Sequence, residues 1–194
     1  MYANGLYIQD VSKDMANFLS EGKFRLADRV YNGVARYIHF PLLRRSDESS
    51  KKITDTMTKN IYEGLSLEDD ILPLWVINDF NLYNEYLKQC EHLKIKIRTL
   101  FIESTRQYPL WQGTLPELKT IGYEIINPNL CDESFCWLLN SEKYKHYAEK
   151  LNQYGLFDDF ETAEAFYNEL NEKENGFIEE CDGLIARISV LKDR

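Results

Sequence analysis

Carboxylates dominate the groups in this chain that could do chemistry. Glu68-Asp69-Asp70 is the densest local cluster near the middle of the sequence. Two such side chains with water could hold a magnesium ion. Together with Glu103, Glu68 and Asp69 would make a metal-dependent enzyme of dispersed carboxylates. The same cluster also suits the start of a helix, where negative charge complements the dipole. That second reading needs no ligand, so no metal, no cofactor and no catalytic residue is assigned, and the chain is not expected to be an enzyme. The histidines His39, His92 and His146 lie far apart, and none has an HExxH neighbourhood. Cys90, Cys131, Cys136 and Cys181 match neither the zinc nor the redox CxxC spacing, and read as small buried apolar groups. GxGxxG, P-loop, GxSxG and DxDxDG patterns are absent, and the isolated glycines cannot build a sequence-local phosphate cradle.

Charge distribution says more. Residues 156–182 hold ten acidic side chains and one basic, Lys173, a balance of −9 that equals the net charge of the whole chain. Residues 23–60 hold nine basic against four acidic, a balance of +5. A run of charge can be a solvated helix face. It can also be a docking surface that speeds encounter with a cationic partner. Asp158, Asp159, Glu161, Glu164 and Glu172 are the residues to which the sequence assigns partner binding. Asp158 is expected to cap a helix in a capping box with Glu161, and Glu169 to project outward with the other glutamates. Tyr108 and Trp111, in a loop expected to be exposed, join the list, because such rings dominate binding hot spots. They serve equally well as a cover for a sheet edge. The net charge argues against nucleic acid as a partner, despite the arginines interleaved with Tyr31, Tyr37 and Phe40, and against anionic lipid.

The elements that would position these residues follow from periodicity. Helical spacing predicts helices over Ser12–Ser20, over Phe24–Phe40, and from the capping residues near Asp47 to about Tyr62. Asn78 or Asp79 caps a further helix whose inner stripe is Leu82, Tyr83, Tyr86, Leu87, Cys90 and Leu93. Residues 71–77 read as strand or buried helix. Strict alternation over Lys94–Arg98, continued by the β-prone Thr99–Ile102, predicts a strand over Ile95–Glu103; further strands are predicted over Ile121–Ile126, stopped by Asn127-Pro128-Asn129, and over Gly183–Leu191, where Leu184, Ala186, Ile188 and Val190 alternate. Helices are predicted near Glu133–Leu139 and over Glu142–Gln153, the second ended by Gly155. A last helix turns Ala163, Phe166, Tyr167 and Leu170 inward. The sum is an α+β fold: a helix-rich N-terminal part and a small, mainly antiparallel sheet of three to four strands in the C-terminal part. A single domain, 1–194, is expected, with a helical lobe 1–66 packed on an α+β core 67–194 left open. No apolar run reaches the ~18 residues of a membrane span, and the N-terminus has no signal-peptide pattern. A cytoplasmic location is expected.

Thr99–Ser104, Gly113–Pro116 with Leu118, and Ile121–Ile126 resemble small acidic bacterial immunity proteins of contact-dependent growth inhibition systems. Leu151–Asp159 and the helix with Ala163 and Phe166 continue the resemblance, which covers roughly the C-terminal half. It implies an immunity protein that binds and neutralises a cognate toxin domain by occlusion, a basic nuclease above all. It transfers no binding residue. The rival readings are the carboxylate enzyme and a phage or bacterial regulatory protein that self-associates through its aromatic helices.

Overall fold

A computed structural model describes residues 1–10, 48, 52, 55, 76–92, 94, 97–107, 109–127, 133–134, 139, 142–172 and 183–192. Its elements are β1 (Tyr2–Asp10), α1 (Phe80–His92), β2 (Ile97–Ser104), β3 (Leu118–Asn127), β4 (Glu133–Ser134), α2 (Lys145–Ala148), α3 (Phe160–Leu170) and β5 (Leu184–Leu191). The strands form one antiparallel sheet in the order β1-β2-β5-β3-β4. The last strand therefore lies in the middle. β2 and β3, consecutive strands in the sequence, are joined only through β5, so the sheet cannot close until the C-terminal strand arrives.

This corrects the expected helix-rich N-terminal part. Residues 2–10 are a strand, and among the described residues it lies at the edge of a sheet of five strands. β1 shows no two-residue period in the sequence because it is buried on both faces. Leu6 and Ile8 face one way and Tyr7 the other, yet all three are buried, so the alternation that marks a half-exposed strand is missing. The predicted helices over Ser12–Ser20 and Phe24–Phe40 lie outside the described residues. So does most of the third, of which Glu48, Lys52 and Asp55 are helical. Two further expectations fail. Glu133 and Ser134 pair with Asn127 and Ile126 instead of starting a helix. The helix over Glu142–Gln153 shrinks to α2, because Leu151 bridges Phe157 and the chain turns back.

Strand pairing fixes the faces. Phe101 opposes Ser189, Glu103 opposes Arg187, Tyr123 opposes Arg187 and Ile125 opposes Ile185, so all of these share one face. Both long helices lie on it. α1 starts with Asp79 accepting from the Leu82 amide at 2.9 Å, buries Leu82, Tyr83, Tyr86 and Cys90, and reaches β2 through the Tyr83–Thr99 hydroxyl contact at 2.8 Å. α3 packs Ala163, Phe166 and Leu170 against Ile125 and Ile185. On this face, Arg187 donates through Nε and Nη2 to both oxygens of Glu103, at 2.7 and 2.5 Å. That fork satisfies a carboxylate whose side chain is only 12% exposed. It also raises the Arg187 guanidinium further, the Glu103 hydrogen bond being the largest cause. The opposite face is buried as well, through Tyr7, Leu100, Ile102, Ile126, Leu184, Ala186 and Ile188.

The edges of the sheet are partly blocked. Leu6 of β1 exchanges both backbone hydrogen bonds with Ile77. The bulge between Ala3 and Gly5 turns Asn4 inward, where its Nδ2 donates to the carbonyls of Arg106 and Pro109. At the other edge Tyr123 exchanges backbone bonds with Phe157. Among the described residues no helix is long and apolar enough to cross a membrane.

Candidate functional site: the outward face of helix α3

The launch of α3 is tied to β3 by one side chain. Asn152 donates through Nδ2 to the Ile121 carbonyl and to Oδ1 of Asp158, both at 2.8 Å. Its Oδ1 accepts from the amides of Tyr154 and Leu156 at 2.9 and 3.2 Å. Every donor and acceptor of that amide group is thus used on a turn in which Gly155 takes φ 72°. The turn lies directly against β3. A Cβ at Gly122 would stand 2.6 Å from the Leu156 Cβ and 2.7 Å from the Phe157 carbonyl oxygen. Only glycine lets the two backbones come this close.

Asp159 caps the helix. Its Oδ1 accepts from the Thr162 amide at 2.7 Å, and its Oδ2 from the Thr162 hydroxyl at 3.0 Å. These bonds, the backbone one first, hold its carboxyl below the ordinary aspartate value. The cap is one residue later than the sequence reading placed it. Asp158 instead takes the bond from Asn152, and the partner three residues beyond the cap is Thr162 rather than Glu161.

The inner side of α3 is aromatic. The Phe166 ring centroid lies 5.0 Å from Tyr147, 5.5 Å from Tyr144 and 5.8 Å from Phe157. Glu169 turns toward α2 as well. It stands 3.9 Å from His146 Nε2 and bonds the Tyr147 hydroxyl. Burial, then the bond and charge of Glu169, push the Tyr147 phenol up to about 12. Glu169 is therefore not among the outward groups.

Glu161 and Glu164 are exposed, and at ~100° per residue they sit about 60° apart around the helix. Glu172 is exposed just past the C-cap Asn171, where its charge also acts on Tyr147. Among the described residues none of these three carboxylates has an ion-pair partner. Nearby cations have other contacts. Lys143 lies over the Tyr144 ring and Lys150 over the Tyr147 ring, each 5.1 Å from the centroid. Lys145 stands 4.0 Å from Glu142. From the basic N-terminal stretch, Lys52 holds Glu85 of α1 at 3.2 Å, not a residue of α3.

The structure thus brings Asp158, Asp159, Glu161, Glu164 and Glu172 onto one helix and its two ends, with Asp159 and one oxygen of Asp158 committed to folding. It does not add Trp111 to them. That ring lies at the other end of the helix-bearing face, edge-on to Phe101 at 5.3 Å and Phe80 at 6.1 Å, with its Nε1 donating to the Thr114 carbonyl. It packs over the face of β2, an inner strand, and so does not cover a sheet edge. Tyr108 lies outside the described residues, as do Glu68 and Asp69. Glu103, the remaining member of the proposed metal site, is occupied by Arg187. Among the described residues no three His, Cys, Asp or Glu side chains gather where they could hold a metal ion. The residue that sequence reasoning missed is Asn152. Its signal was the Asn-Gln-Tyr-Gly turn in front of an aspartate pair.

Comparison with protein-family models, with curated proteins and with solved structures returned no match to this chain.

Proposed function

We propose that this protein is a binding protein of the immunity type, which neutralises a cationic toxin domain by docking it on the outward face of α3. The observation that carries the reading is the trio Glu161, Glu164 and Glu172, exposed on a well-anchored helix and just past its end, with no ion-pair partner among the described residues. The field of these carboxylates steers a positive partner into contact. A nuclease cleft is basic because it must hold phosphates, so this face competes for the ground its substrate uses. Occlusion of this kind needs no turnover.

The test is a search of the neighbouring reading frame for a basic nuclease domain, followed by an inhibition assay on that domain. The purified chain abolishes its DNA or RNA cleavage at one-to-one stoichiometry, and co-expression restores growth of cells that make the nuclease. Cleavage unaffected by a tenfold excess of the chain, or absence of any toxin domain in the adjacent frame, overturns the reading.

A further inference from the structure

We draw no further inference here: the strongest candidate, the exposed apolar side chains Met1, Tyr2, Leu110 and Leu115 at the end of the sheet where the β2–β3 loop wraps the start of β1, carries nothing because nothing in the structure shows what covers them.

Discussion

Gly122→Ala tests how α3 is held. The added methyl would meet the Leu156 Cβ at 2.6 Å, the Phe157 carbonyl oxygen at 2.7 Å and Asn152 Nδ2 at 3.1 Å. None of the three yields easily. The Phe157 oxygen accepts from the Tyr123 amide, Asn152 holds four hydrogen bonds, and Leu156 is fully buried. Relief therefore means lifting the 152–157 turn off β3. Overpacking of this kind costs about 1–3 kcal/mol. The backbone at residue 122 adds strain, since φ is +148°, for which about 1 kcal/mol is the lower end. The sum is about 3 kcal/mol, which for a chain of this length lowers the melting temperature by roughly 6–12 °C. Circular dichroism melts and urea titrations measure it. Gly113→Ala is the control: φ there is +93°, but nothing stands within 4 Å of the new methyl, so only the strain of about 1 kcal/mol is expected. Equal losses in the two variants, or a Gly122→Ala protein within about 0.5 kcal/mol of the parent, would mean that the turn is not seated on β3.

Three more predictions rest on single interactions. Arg187→Met leaves the mostly buried Glu103 carboxylate without its fork and costs about 2 kcal/mol; the double variant with Glu103→Gln regains part of that in a urea double-mutant cycle, whereas strict additivity would deny the coupling. Asp159→Ala loses the cap of α3. Because the folded carboxyl is held below its unfolded value, the cap contributes fully above about pH 4 and fades as pH falls through the lowered value; the gap between parent and variant in urea titrations should close toward pH 2, and a constant gap would contradict the cap. Tyr147 carries a phenol raised to about 12, so it favours the fold up to about pH 10 and loses that contribution as pH climbs toward 12; ultraviolet titration of Tyr147→Phe should lack one late-ionising tyrosine, and an unchanged high-pH end would refute the contact with Glu169.

The legible parts of the fold are those whose apolar residues keep a helical or two-residue period in the sequence. β2, β3 and β5 alternate in sequence, and their bounds lie within three residues of where the sequence reading put them. α1 and α3 show their inner stripes for the same reason. β1 did not, because Leu6, Tyr7 and Ile8 are all buried and period two vanishes. Residues 133–134 and 149–153 have helical composition, but pairing with β3 and the bridge between Leu151 and Phe157 override local preference. The strand order was beyond reach, since nothing in the alternation of β5 says that it inserts between β2 and β3. For the candidate site, the acidic run of the sequence includes α3 and its two ends. The individual roles needed coordinates: which aspartate caps, that Glu169 turns inward, and that Trp111 packs over the face of β2.

The central claim is that the outward carboxylates of α3 steer a positive partner. Stopped-flow association with a basic nuclease domain, taken from the neighbouring reading frame if it encodes one, should be measured with the parent and with Glu161→Lys/Glu164→Lys/Glu172→Lys, at several salt concentrations. The parent on-rate should fall steeply with salt, and the reversed variant should be slower by about tenfold or more at low salt, with the same melting temperature and a flattened salt response. An on-rate and salt slope identical to the parent's would contradict it.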